Sequence, residues 1–279
     1  MNKICVLFPV YNRLDYVQKT LPALCNSINL SNFDVHIVQD GPKSQTDEVK
    51  TNQVADFIQQ FTSSNIFFTE RPNNLGLGEN LIRSKFELFN HYDRIIQIEE
   101  DIIVAPYAID VINKLYDKYK KTHDTLVTSI SCFGMAPYDK KVAELGKLIS
   151  RAEWRFYCLD RPTWNTIKSL LEQYSQLFLH ELGTTIPYEN RNSTQIHHFF
   201  SEILGVKIKK NSPTGQDACM DTVIKRNKIP IFTVAVNHSH DIGICGEHIK
   251  YPRYVSNTEN TTLDLFNTEI LYKELGIPL

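Results

Sequence analysis

Strand and helix signals alternate through residues 1–131 with short connections between them, and no other property of the chain constrains its fold as much. Ile4 to Val10 is an apolar run that reads as a buried strand ended by Pro9, with Tyr11-Asn12-Arg13 as the turn. Asp15 is placed to cap a helix through Val17, Leu21, Leu24 and Ile28, in which Pro22 must sit early or introduce a kink. A second strand, Phe33 to Gln39, ends at Asp40-Gly41-Pro42. An amphipathic helix follows from Val49 to Phe61, then a short strand Ile66 to Thr69, a loop Arg71 to Gly78, and a helix Glu79 to Phe89. The stretch Arg94 to Pro106 supplies the fourth strand, a short apolar run that ends at three acids, Tyr107 to Tyr119 reads as a helix begun by Pro106, and Thr125 to Ser131 as the fifth strand. Strand, helix, strand implies a parallel pair with a right-handed crossover. The expected class is therefore α/β, with a doubly wound, mostly parallel sheet. Asp40 then lies at the carboxyl end of a strand, where open sheets of this kind bind ligands.

The second half is less regular. Met135 to Ser150 carries several charges and no clean period, which reads as a mobile loop or insertion. Arg151 to Cys158 reads as a strand, and a helix starts at Arg161-Pro162-Thr163-Trp164 and runs through Leu171. Ile186 to Asn211 mixes polar residues with a basic run, and His197-His198 within it reads as loop. A helix is expected from Ala218 to Asn227, a strand from Ile231 to Val236, and an amphipathic helix from Thr262 to Leu275.

Composition matters here mainly for what it excludes. The formal net charge is -2, so no global basic field of the kind that drives nucleic-acid binding is present. The apolar run at Met1 to Pro9 is too short for a signal peptide, and no window approaches a transmembrane helix. The six cysteines (Cys5, Cys25, Cys132, Cys158, Cys219 and Cys245) are scattered without a CxxC pair. A reducing, cytoplasmic compartment is expected, with peripheral membrane contact left open.

The chemistry concentrates where the fourth strand runs into Glu99-Glu100-Asp101. Three adjacent acids repel one another, and burying them unpaired is costly. A divalent cation, Mg2+ or Mn2+, removes that difficulty because hard oxygen ligands suit it. An isolated EED is ordinarily a solvent-exposed acidic turn. The flanking Ile102-Ile103-Val104 argues instead for apolar surroundings.

Four motifs in order carry a resemblance. Phe8-Pro9-Val10-Tyr11-Asn12-Arg13, Gln39-Asp40-Gly41, Asn74-Leu75-Gly76 opening a helix, and Glu99-Glu100-Asp101 with Pro106 together resemble nucleotide-sugar glycosyltransferases of the GT-A fold. Their order and spacing are similar to inverting glycosyltransferase family 2, and the EED resembles the acidic metal motif of the N-acetylglucosaminyltransferase I group. The resemblance implies one GT-A domain over 1–279, with a nucleotide-sugar-binding half at 1–131, an acceptor-side half at 132–255 and a helical tail at 256–279. It places Pro9, Tyr11 and Asn12 at the base and ribose together with Arg13, and Asp40 as the acid that contacts base or ribose. Asn74, Gly76 and Arg83 fall on the diphosphate side. Asp101 is the implied metal ligand, Glu100 reaches the ribose or a metal-bound water, and Glu99 is the acid expected to tolerate replacement best. Gly215-Gln216-Asp217 resembles the family's acid-Asp pattern before a helix, with Gln216 standing where Glu is usual. Asp217 is then the base for the acceptor hydroxyl and Asp221, one turn on, the runner-up; read alone, Asp217 is simply a helix cap. His238, His240 and His248 lie in a segment that resembles the one closing related sites, and His240 is favoured as a second metal contact. Trp154, Arg155 and Trp164 are acceptor-side candidates, because aromatic faces stack on sugars and Arg pairs with anions. Core packing is the competing role for the tryptophans. Lys207 to Lys210 and Lys250 to Arg253 read as a solvated basic face, or as a contact for a lipid-carrier phosphate.

The expected function is metal-dependent sugar transfer from a nucleotide-diphosphate sugar to a glycan or lipid-linked acceptor, with inversion, in surface polysaccharide or glycoconjugate synthesis. The alternatives are a sugar-phosphate nucleotidyltransferase, disfavoured because Val10 to Arg13 is no glycine-rich signature loop, and a non-catalytic nucleotide-sugar-binding module.

Overall fold

A computed structural model describes residues 3–130, 147–149, 152, 154–177, 193–207, 215–234 and 239–241. The first strand, β1 (Ile4–Val10), includes Pro9 rather than ending at it. Its ladder to β4 covers only Ile4 to Leu7, so the missing proline N–H comes after that ladder has ended. Helix α1 (Leu14–Cys25) has Arg13 at the cap position without a side-chain cap bond; Asp15 lies in its first turn, and Pro22 stands inside it. Strand β2 (Asp34–Gln39) is followed by α2 (Gln45–Gln59), which starts four residues before the expected Val49 because Ser44 caps it, accepting from the Asp47 N–H. Next come β3 (Ile66–Glu70), α3 (Leu77–Leu88) and β4 (Arg94–Ile98). The fourth strand ends at the acids, as expected. The chain turns at 99–101 and continues as β5 (Ile102–Val104), which belongs to a different sheet.

Helix α4 (Ala108–Lys120) and β6 (Val127–Ile130) complete the first half. Strand β7 (Lys147–Ile149) falls in the region read as a loop or insertion, the rest of which lies outside the described residues. Strand β8 (Phe156–Asp160) begins five residues later than expected, and Asp160 then caps α5 (Arg161–Gln176) by accepting from the Thr163 N–H. His197 and His198 are not in a loop but end the helix α6 (Ser193–His198). Helix α7 (Gln216–Arg226), β9 (Ile231–Val234) and β10 (Ser239–Asp241) follow. The expected helix at Thr262 to Leu275 lies outside the described residues.

The main sheet has the order β3-β2-β1-β4-β8-β6-β9-β7. β1, β2, β3 and β4 are parallel, β6 and β9 are parallel to each other, and β8 runs antiparallel to both β4 and β6. This is the mixed α/β, mostly parallel sheet expected of a GT-A, Rossmann-like fold. The strands alternate two apolar faces, and a buried cluster fills each. One joins Val6, Phe8, Val35, Ile37 and Ile96 to α1, α2 and α4. The other joins Leu7, Ile95, Tyr157 and Leu159 to α3, α5 and α7. Fully burying a side chain such as Leu7 or Phe8 stabilises the fold by about 1.5–3 kcal/mol, which makes the central strand the anchor of both layers. β8 comes from the second half of the chain yet lies between β4 and β6 of the first, so the two halves share one sheet. Among the described residues no helix is long and apolar enough to cross a membrane.

Candidate active site at the carboxyl edge of the parallel strands

Because α2, α3 and α7 each return antiparallel to the strands they connect, their N-termini lie at the edge where β1, β2 and β4 end. The turn after β1 is held from α2. The Tyr11 hydroxyl donates to Asp47 Oδ2 at 3.0 Å, and the Asn12 amide donates to Asp47 Oδ1 at 3.0 Å. Gln39 donates to the Tyr11 carbonyl at 2.9 Å, and the Lys43 ammonium lies 5.4 Å from the Tyr11 ring centre. Asp47 orders both proposed base-contacting residues, yet sequence reasoning did not single it out. Its signal was the Ser44-x-x-Asp47 capping pattern.

Asp40, 5% exposed, turns inward on the loop it precedes. Its Oδ1 accepts from the backbone N–H groups of Leu75 at 2.7 Å and Gly41 at 3.0 Å, and its Oδ2 accepts from the Asn74 amide at 3.1 Å. Burial pushes its carboxyl up to about 6 against the pull of those backbone donors. Two glycines permit the packing. A Cβ on Gly41 would stand 2.4 Å from the Asn73 carbonyl carbon, and Gly76 caps α3 at φ 74. Arg83, by contrast, is engaged within α3, where its guanidinium donates to Glu79 at 3.2 Å; the other Glu79 oxygen accepts from Ser175.

In the acid turn after β4, Arg13 spans Glu100 and Asp101, donating from Nε to Glu100 Oε1 at 2.9 Å and from a terminal nitrogen to Asp101 Oδ2 at 3.1 Å. The Tyr16 ring lies under the same guanidinium at 4.7 Å. Arg13, expected at the nucleotide, is thus the counter-charge of the acid turn. Thr20 of α1 donates to the Glu100 carbonyl at 2.8 Å, which ties the turn to the helix behind it. Glu99 lies within electrostatic reach of Asp217 and Arg155 as well as of its neighbours in the turn. Burial and the charges of Asp101, Asp217 and Glu100 hold its carboxyl well above the ordinary range, and Arg155 opposes them. The backbone continues the ladder there, since the Glu99 N–H donates to the Arg155 carbonyl at 3.0 Å.

α7 brings Asp217 to this edge in its first turn, and Gln216 packs so closely on α3 that a Cβ on Gly78 would meet it at 3.2 Å. Asp221 is buried, with Oδ1 accepting from the Trp154 indole N–H at 2.7 Å. Trp154 itself is 2% exposed and packs edge-on against Tyr157, so it offers no open face to a sugar. Trp164 is equally buried, against Phe86 and Phe89. Core packing accounts for both tryptophans. β10 pairs antiparallel with β5, which sets His240 opposite Ile103, two residues beyond Asp101. His238 and His248 lie outside the described residues, as does Lys250 to Arg253. Among the described residues no three His, Cys, Asp or Glu side chains are arranged to hold a metal ion by themselves.

Residues 5–84 match the family model described as Glycosyl transferase family 2. No curated protein matches the chain. Among solved structures, the chain is similar to S. aureus TarS 1–349 in complex with UDP-GlcNAc, with a TM-score of 0.50 at 11% identity over 99% of this chain and 66% of that one. S. aureus TarS scores 0.48 at 12% identity over 86% and 36% of the two chains, and TarS 1–349 in complex with UDP scores 0.45 at 12% identity over 85% and 60%. The chain thus spans two thirds or less of the length of these structures, and at such identities the likeness is one of fold. The glycosyl transferase family 2 match, which takes in Pro9 to Arg13, Asp40 and Asn74 to Gly76, lies on a GT-A-type fold and supports a glycosyltransferase.

Proposed function

We propose that the protein transfers a sugar from a nucleoside-diphosphate sugar to a hydroxyl of a glycan or lipid-linked acceptor, with inversion, in glycoconjugate or surface polysaccharide synthesis. The observation that carries this reading is the convergence at one sheet edge of the Asp40-ordered loop, the Glu99-Glu100-Asp101 turn and Asp217, from parts of the chain far apart in sequence. Asp217 is the base. It stands in the first turn of α7, where the helix dipole favours its carboxylate, and it takes the proton of the acceptor hydroxyl as that oxygen attacks the anomeric carbon. Asp221 keeps Trp154 and the floor of the site in place instead. Tyr11 and Asn12, ordered by Asp47, meet the nucleoside; Asn74 and Gly76 present the loop to the diphosphate.

The acid turn offers the hard oxygen donors that Mg2+ or Mn2+ prefers, with Asp101 as the ligand and Glu100 next to it, and His240, whose backbone pairs opposite Ile103, as the second proposed contact. One carboxylate with substrate phosphates is the ordinary way such a cation is held, so a cage of three protein ligands is not required. When bound, the cation neutralises charge on the departing diphosphate. On this reading the protein works in the cytoplasm, at the inner face of the membrane when the acceptor is lipid-linked.

A thermal-shift and product-release screen of sugar nucleotides, with Mn2+ or with EDTA, tests the proposal. Metal-dependent stabilisation and nucleoside diphosphate release are expected, and Asp217→Asn should abolish release while sparing binding. Absence of any metal-dependent response to the whole panel would refute the reading.

A further inference from the structure

Lys85 is a cation that the fold encloses completely. It stands on α3 at 1% exposure, among the buried Leu81, Ile82 and Leu88. Its ammonium donates to the Leu81 carbonyl at 3.2 Å and to Gln97 Oε1 at 2.6 Å, and lies 5.7 Å from the centre of the Tyr157 ring. The Tyr157 hydroxyl donates to the same Gln97 oxygen at 2.8 Å. The Gln97 amide donates to the Trp154 carbonyl at 3.2 Å, and the Trp154 indole reaches Asp221. One buried network therefore joins α3, β4, β8 and α7 beneath the candidate site.

Enclosing an ammonium in apolar surroundings is strongly unfavourable unless opposite charge compensates it. Among the described residues Lys85 makes no direct ion pair; the Leu81 carbonyl and the Gln97 amide oxygen that accept from it are neutral. The carboxyl groups that act on it are Glu99, at the end of β4, which is itself held well above the ordinary range, and Asp217, in the first turn of α7. Tyr157 of β8 is the remaining titratable group against it, and burial keeps that phenol protonated. Desolvation draws the ammonium down to about 7 while both carboxyl groups pull it upward.

We propose that Lys85 is a positioning residue of the transfer site, a buried amine that holds the Gln97–Tyr157–Trp154 network in place between β4, β8 and α7. Its role in transfer rests on the glycosyltransferase reading above; its place in the network does not. Lys85 reaches no substrate. It fixes the end of β4, where the acid turn begins, and through Trp154 and Asp221 the helix that carries Asp217.

The test uses Lys85→Met, which keeps the length and removes the charge, and Tyr157→Phe, which removes only a hydroxyl. Turnover is read as UDP release from UDP-GlcNAc with Mn2+, or from whichever sugar nucleotide the screen returns. Lys85→Met is expected to lower kcat by about tenfold or more while KM for the sugar nucleotide stays within about threefold. Tyr157→Phe should lower kcat in the same direction by a smaller factor, and it carries the kinetic test if Lys85→Met does not fold. Unchanged kcat in the folded variants overturns the positioning role. Independently of turnover, the Lys85 titration is followed by NMR of 13Cε-labelled lysine in the full chain. Asp217→Asn should move its midpoint downward by about half a unit or more, because a carboxylate that favours the charged ammonium has been removed. No movement overturns the coupling of Lys85 to Asp217. If the wild-type chain neither binds nor cleaves any sugar nucleotide, the glycosyltransferase reading fails while the NMR comparison still decides Lys85.

Discussion

At the acid turn, Arg13 holds Glu100 and Asp101 together, and its removal leaves two enclosed carboxylates facing each other. Breaking such a pair costs about 2–4 kcal/mol when the partner charge stays behind, with some discount for the part of Arg13 that meets solvent. Arg13→Met should therefore unfold at lower temperature in EDTA. Millimolar Mn2+ should recover more of the loss than it adds to the wild type, because the cation replaces the missing charge; equal shifts in the two proteins would place cation binding elsewhere. Asp40 gives a separate pH signature. Its folded carboxyl titrates near 6, above the about 4 of an unfolded chain, so between those values the folded state keeps a proton that the unfolded state has lost. Its contribution is neutral at lower pH, falls as pH rises through that window, and is unfavourable above it by on the order of 2–3 kcal/mol. Urea unfolding of wild type and Asp40→Asn from pH 4 to 7 should show the wild type losing stability relative to the variant; parallel curves would contradict the assignment. None of these partnerships was legible beforehand. The pairing of Arg13 with Glu100 and Asp101 spans 87 and 88 residues and leaves no local pattern.

Local chemistry predicted the elements well where the cause is local. The buried runs of β1, β2 and β4 and the amphipathic faces of α3 and α4 follow from side-chain period. Ends were poorer, since Ser44 starts α2 earlier than its apolar residues do and β8 begins at Phe156 rather than Arg151, although α5 starts at Arg161 as expected. The fourth strand ends at the acids, as its apolar run implied, but the run does not reveal that Ile102 to Val104 joins a second sheet with β10, which arrives from far along the chain. At this scale the glycines separate two kinds of contact. Gly41→Ala puts a methyl into the Asn73 backbone and should cost about 1–3 kcal/mol with loss of nucleotide binding, as the Asn74 loop is displaced. Gly78→Ala meets only the Gln216 side chain at 3.2 Å and should change stability by less than about 1 kcal/mol. Thermal unfolding of both variants checks the contrast, and equal effects would reject it.

In the whole molecule, β8 lies between β4 and β6 and the two tryptophans, Trp154 and Trp164, pack against elements of the first half. Tryptophan emission therefore reports the shared core, and its urea transition should coincide with that of far-UV circular dichroism. A fragment 1–131 should not fold alone, because β4 and β6 lose the strand that joins them; a well-dispersed NMR spectrum from that fragment would contradict this. The sequence by itself determined the α/β class, the parallel strand ends and the presence of an acidic turn among apolar residues, since these follow from periodicity and capping within short windows. Only the tertiary structure decided that Arg13 pairs with the acids, that Asp40 and Asp47 order the loops around them, that the tryptophans are core, and that Lys85 is enclosed against Gln97 and Tyr157. The physical reason is range. Burial patterns repeat every few residues, whereas the partner of a charge is chosen by strand order and helix docking across the whole chain.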